Sequence, residues 1–114
     1  MTDSSTRQLK VSRLIQKELA GILLKQGRYI YGSAIVTVTK VEISKDFFLA
    51  KIMVSIYATR NKQTILLLLE ENKKDIRYRL GQRIKRQVRI IPELTFVMDD
   101  TLDYIENIDN LLKS

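Results

Sequence analysis

The sequence predicts an α+β fold with elements in the order α-β-β-α-α-β-α. Three observations predict it. Apolar residues recur at helical spacing in residues 7–26 and again from Ile65 to Ile84. Between these stretches lie two alternating, β-branched runs joined by a short polar turn, the pattern of an antiparallel hairpin. A third extended run, carrying the only proline, follows the second helical stretch. At 114 residues the chain is read as one domain, 1–114.

Residues 1–6 read as a loose polar end. The first helix is expected over 7–26, with Val11, Ile15, Leu19, Ile22 and Leu23 as its apolar stripe and Arg7, Lys10, Arg13 and Lys17 as a second stripe beside it. Gly27 suits the helix end, which leaves residues 27–33 as a connector. Tyr29 and Tyr31 in that connector can stack on bases or pack a loop on the core.

The first strand is expected over 34–43, with Ile35, Thr37, Thr39, Val41 and Ile43 on one face. Ser44-Lys45-Asp46 is the turn, and 47–57 the paired strand, with Phe48, Ala50, Ile52, Val54 and Ile56 sharing a face. Asn61 can cap the next helix. Ile65, Leu69, Ile76, Leu80 and Ile84 then continue in near four-residue steps toward Gln87, as one long helix or two joined ones. Polar Asn72 fills the missing place in that row, so a kink belongs at 72–74. Residues 88–98 read as a strand with Leu94, Phe96 and Met98 on one face. Pro92 cannot donate to a ladder, which puts this strand at an edge or gives it a bulge. Thr101 then caps a final helix with Leu102, Ile105, Ile108 and Leu112 inward.

The charge is segregated. The net charge is +7, and residues 73–89 alone hold eight Lys or Arg against one acid, Asp75. Residues 90–114 hold one base against six acids. Such a field implies an oriented polyanionic partner, with the acidic tail turned away from it. On a helix, Lys73, Lys74 and Arg77 cluster within little more than a turn, and Arg79, Arg83 and Arg86 form a second row. The planar guanidinium suits phosphate oxygens. A solvated basic helix face is the alternative reading of both stripes.

The chain has neither Cys nor His. Disulfides and zinc spacing are excluded, and so are the commonest general base and metal ligand. No Gly-rich phosphate loop or nucleophile–base pairing stands out. Asp99, Asp100 and Asp103 have the composition of a hard-metal site, but also that of an ordinary helix N-terminus. No enzyme, catalytic residue, metal or cofactor is therefore expected. Mean hydropathy is −0.12, no apolar run approaches the ~20 residues of a membrane span, and the first residues lack the apolar core of a secretory signal. A cytoplasmic protein is expected, without membrane or small-molecule ligand. One modest core and no heptad seam favour a monomer.

Several blocks resemble the ribosome-binding factor A family in the correct order. They are Arg7-x-x-Lys10-Val11 with Ile15-x-Lys17-Glu18-Leu19, the hairpin Val36 to Asp46 with Ala50-Lys51-Ile52-x-Val54-Ser55, Ile76-Arg77-x-x-Leu80-Gly81, and Arg89-Ile90-Ile91-Pro92-Glu93-Leu94-Thr95-Phe96. The resemblance implies a single type II KH-like domain, a three-stranded sheet backed by helices. It implies a bacterial assembly factor that binds the free 30S small ribosomal subunit and 16S rRNA. Such a factor assists late maturation and 5′-end processing, is not a nuclease, and is associated with growth in the cold. Two places depart from the family pattern. Asn72-Lys73-Lys74 stands where an Ala-x-Gly kink is usual, although Asn tolerates left-handed backbone better than most residues. Tyr29-Ile30-Tyr31 stands where Asp-Pro-Arg is frequent.

On this reading Arg7, Lys10, Arg13 and Lys17 contact phosphates from the first helix. Lys73, Lys74, Arg77, Arg79, Arg83 and Arg86 do so from the central helices, and Arg89 from the start of the strand. Replacing Lys73, Lys74 and Arg77 together is expected to weaken subunit binding without unfolding the chain. A general nucleic-acid-binding module and a protein-interaction module using the final amphipathic helix remain as alternatives.

Overall fold

The computed structural model describes residues 3–99. In chain order they form α1 (Asp3–Tyr31), β1 (Ile35–Ile43), β2 (Leu49–Tyr57), α2 (Lys62–Glu71), α3 (Lys73–Ile84) and β3 (Glu93–Met98). The expected final helix, with Thr101 to Leu112, lies outside the described residues.

Helix α1 is longer than its periodicity suggests. Asp3 to Thr6 are helical rather than a loose end, since acidic and hydroxyl residues also suit a helix start. At the other end the helix runs through Gly27. The Tyr31 ring folds back over that glycine, and any side chain at 27 would collide with its phenol. The missing side chain therefore makes room for packing instead of ending the helix. The end comes at Gly32, whose φ of 78° suits a residue without Cβ. Burial in turn pushes the Tyr31 phenol above its ordinary pKa. Tyr31 packs on the core, whereas Tyr29 stands exposed.

The strands form one sheet in the order β1-β2-β3. β1 and β2 are antiparallel, and β3 runs parallel to β2, reached by the α2–α3 crossover. Alternation in β1 is broken by a bulge. Val38 pairs with Val54 and Lys40 with Met53, which leaves Thr39 as the extra residue. The bulge switches the inward face midway, so Val38 is buried together with Val41 and Ile43, while Ile35 is exposed. The strict alternation expected for 34–43 therefore fails in its first half. The Thr39 hydroxyl donates to the Met53 carbonyl at 3.2 Å and lies 2.6 Å from the Asp99 carboxylate, so the extra residue is tied to β2 and to the end of β3. In β2, Ala50, Ile52, Val54 and Ile56 all turn inward as expected, while Phe48 lies outside the strand and is exposed.

Ile65, Leu69, Ile76, Leu80 and Ile84 are all buried, so the four-residue row forms the core side of α2 and α3. Asn61 Oδ1 accepts the Thr64 N–H at 3.1 Å and caps α2. The break falls at Asn72, with φ −100° and ψ 9°, close to the bridge region rather than the left-handed one. Its side-chain amide donates to the Leu68 carbonyl at 2.8 Å. That local bond competes with helix continuation and explains how a kink forms without glycine. Regular helix stops at Ile84, and 85–87 form a turn.

Pro92 is buried just before β3, so pairing starts at Glu93 rather than 88, with the Glu93 N–H donating to the Phe48 carbonyl at 2.8 Å. Among the described residues β3 lies at a sheet edge, one of the two outcomes expected for a strand carrying the proline, and Pro92 itself precedes the pairing. Glu70 of α2 accepts the backbone N–H of Phe96 at 2.6 Å and holds the Lys73 ammonium at 3.4 Å.

Candidate nucleic-acid interface

The rotation of α1 is set by two glutamines. Gln8 donates to the Ile43 carbonyl at 2.8 Å, and Gln16 to the carbonyls of Val38 and Thr39 at 3.1 and 3.3 Å. With Ile15 and Leu19 fully buried, helical spacing turns Lys10, Arg13 and Lys17 outward, and all three are exposed. They have no acidic partner among the described residues. The cationic stripe thus lies across the helix from the apolar one.

The central helix behaves differently. Arg79 pairs with Asp75 at 2.9 Å, and Arg83 reaches Glu18 of α1 at 3.2 Å. Gly21 permits that approach, because a Cβ there would come within 2.8 Å of the Arg83 guanidinium. Arg77 donates Nε to the Pro92 carbonyl at 2.9 Å and Nη2 to the Ile91 carbonyl at 2.6 Å. These bonds satisfy carbonyls ahead of the strand and fix how the chain enters the sheet. Lys73 is held by Glu70. Four of the six central cations are thus engaged within the chain, while Lys74 and Arg86 extend to solvent. Replacing Lys73, Lys74 and Arg77 together therefore also removes two bonds to backbone carbonyls, so a stability cost accompanies any loss of binding.

Lys74 borders a groove of about 470 Å³ between α3 and the start of β3, with Leu49, Arg77, Glu93 and Thr95 along its walls. Glu93 puts a negative charge into it.

A second hollow, of about 400 Å³, lies at the opposite end of α3. Arg7 and Val11 of α1, Phe47 of the hairpin turn and residues 86–90 line it. It brings Arg7 together with Arg86 and Arg89, some eighty residues further along the chain, and no acidic side chain among the described residues lines it. The Arg7 guanidinium sits 5.6 Å from the Phe47 ring centroid.

Phe47 was not legible as a site residue. Its backbone is left-handed, with φ 66°, a costly state for a bulky side chain. The turn holds it there. The Ser44 hydroxyl lies 2.7 Å from the Asp46 carboxylate, which also accepts the Phe48 N–H at 3.0 Å, and the Leu49 N–H donates to Ser44 Oγ at 3.0 Å. The Ser44 bond first, and then the Phe48 N–H, keeps the Asp46 carboxyl below its ordinary pKa. The only hint in the sequence is the pair Phe47-Phe48 directly after a polar turn.

Among the described residues no group of three or more His, Cys, Asp or Glu could hold a metal ion. Asp99 contacts Thr39, and its two companions Asp100 and Asp103 lie outside the described residues. No helix among the described residues is long and apolar enough to cross a membrane.

A family model described as ribosome-binding factor A matches residues 7–112. A protein of that name from Cytophaga hutchinsonii is 44% identical over 108 residues, covering 95% of this chain and 81% of the relative. The crystal structure of ribosome-binding factor A from Thermus thermophilus superposes with a TM-score of 0.68 at 20% identity, over 80% of this chain and 94% of that one. A homology model of the Thermus protein, fitted into a cryo-electron microscopy map of a complex with the 30S subunit, gives a TM-score of 0.61 at 21% identity, over 75% of this chain and 88% of that one.

Proposed function

The chain belongs to the ribosome-binding factor A family, and on that footing we propose that it binds the free 30S subunit through 16S rRNA and assists late subunit maturation. The observation that carries the reading is the family match across residues 7–112. The cations of α1 and of residues 86–89, which have no acidic partner among the described residues, agree with it. They offer a one-sided positive surface whose affinity would come from counterion release and would fall with salt.

In this reading the domain is a type II KH-like RNA binder acting in the cytoplasm as a monomer. It supports 5′-end processing of 16S rRNA by holding the substrate rather than cutting it, and its role extends to growth in the cold. A chain lacking His and Cys is better equipped for holding RNA than for catalysis. Arg7, Lys10, Arg13, Lys17, Arg86 and Arg89 are the principal phosphate contacts, with Lys74 at the second groove. Arg77, Arg79, Arg83 and Lys73 chiefly set the frame.

Co-sedimentation of the purified protein with free small subunits, large subunits and assembled ribosomes, at two salt concentrations, tests the proposal. Selective and salt-sensitive binding to free small subunits is expected. Equal binding to all three would reduce the protein to a general nucleic-acid binder, and binding that resists salt would point to a protein partner.

A further inference from the structure

The hollow at the Arg7 end of α1 is more than a patch of positive charge. Phosphates need cations alone, yet here three arginines surround apolar walls made by Val11, Val88 and the Phe47 ring. We propose that this hollow receives one unstacked nucleotide of single-stranded RNA, with its base on the Phe47 ring and its flanking phosphates on Arg86 and Arg89. The inference rests on the RNA-binding reading above and adds to it a place for a base.

Three observations support it. The volume, about 400 Å³, falls within the range of roughly 300–1,000 Å³ usual for small-ligand sites. Phe47 is held in left-handed backbone by a hydrogen-bonded turn, so its ring is delivered to this hollow at a conformational cost. Arg7 already lies over the ring at 5.6 Å. A base between them needs about 7 Å, twice the ~3.5 Å contact distance of carbon atoms. The exposed Arg7 side chain swings outward to admit the base and then covers it, guanidinium on one face and Phe47 on the other. An acidic peptide would satisfy the arginines but has no flat π face to place between Arg7 and Phe47.

Fluorescence anisotropy of the full chain with labelled hexaadenylate, and with an abasic hexamer of equal phosphate count, separates a base site from a cationic surface. Hexaadenylate is expected to bind about tenfold more tightly than the abasic strand, in line with the worth of one stacked base. Phe47→Leu, which keeps apolar bulk, is expected to erase the preference, bringing hexaadenylate down to the affinity of the abasic strand for the same variant. Phe47→Tyr is expected to retain it, and Arg86→Ala with Arg89→Ala to weaken both strands. Equal affinity of the wild-type chain for the two strands would overturn the proposal, as would a preference that survives Phe47→Leu. So would an acidic hexapeptide that binds the wild-type chain as tightly as hexaadenylate and loses affinity on Phe47→Leu. Small-subunit co-sedimentation is run in parallel. Sedimentation without base preference removes this inference alone, whereas no sedimentation overturns the ribosomal reading itself.

Discussion

The cations of α3 and those of α1 look alike in sequence and differ in the folded chain. On α3, Arg77 is fixed on two backbone carbonyls, Arg79 on Asp75 and Arg83 on Glu18. On α1, Lys10, Arg13 and Lys17 have no such partners among the described residues, and Arg7 joins Arg86 and Arg89 around a hollow that no described acidic side chain lines. Half of the densest basic segment, namely Lys73, Arg77, Arg79 and Arg83, is thus engaged by acids or carbonyls of the chain itself, whereas the sparser stripe of α1 stays exposed. Charge density along a chain locates candidates. Which of them reach a partner is decided by the acids and carbonyls that folding brings close.

The largest effect expected from this contrast is on binding. Replacing Arg7, Arg86 and Arg89 together with Ala should reduce small-subunit binding by more than tenfold and flatten the slope of log affinity against log salt by roughly two to three units. The double replacement of Arg79 and Arg83 should leave that slope nearly unchanged. If the two sets prove equal in a salt titration, the contrast fails.

Next in size is a stability effect in the opposite set. Arg77→Ala should lower unfolding stability by about 1–2 kcal/mol, since it deletes two charge-assisted bonds to partly exposed carbonyls. Arg77→Lys should recover only part of it, because an ammonium lacks the planar fork. Denaturant unfolding measures both, and Arg86→Ala should stay within about 0.5 kcal/mol of wild type. Smaller again is the Glu18–Arg83 pair, partly shielded between α1 and α3. A double-mutant cycle should return a coupling of about 0.5–1 kcal/mol, against about 0.3–0.5 kcal/mol for the surface pair Asp75–Arg79.

The smallest effect concerns the turn. The folded Asp46 carboxyl has a lowered pKa. Its support is therefore present above the ordinary carboxylate value and is lost as the pH falls through the lower folded value. The amide resonances of Phe47 and Phe48 should shift across that acid range, and the shift should vanish in Asp46→Ala.

Much of the frame was legible because periodicity and burial share one cause. The row Ile65, Leu69, Ile76, Leu80 and Ile84 is buried in full, and Pro92 marked an edge strand. The bulge at Thr39 was not legible, because one inserted residue carries no composition signal while reversing the inward face of half a strand. Gly27 misled for a related reason. A glycine that admits a tyrosine ring four residues on looks, in sequence, like one that ends a helix. For the site, the outward stripe of α1 followed from helical spacing. The engagement of Arg83 did not, since Glu18 lies 65 residues away, and backbone carbonyls such as those holding Arg77 have no sequence signature at all. Phe47 depended on a backbone conformation that no periodicity reports.

The carboxylate of Glu70 over β3 bears on how copies of the chain behave when crowded. A parallel edge strand offers a row of outward N–H donors to any neighbouring β-segment, which is how native sheets begin to aggregate. At Phe96 that donor is already taken by Glu70, itself paired with Lys73. A foreign strand would have to displace a charged pair at the middle of its landing site. The same side chain that joins α2 to the sheet thereby helps keep the sheet at three strands.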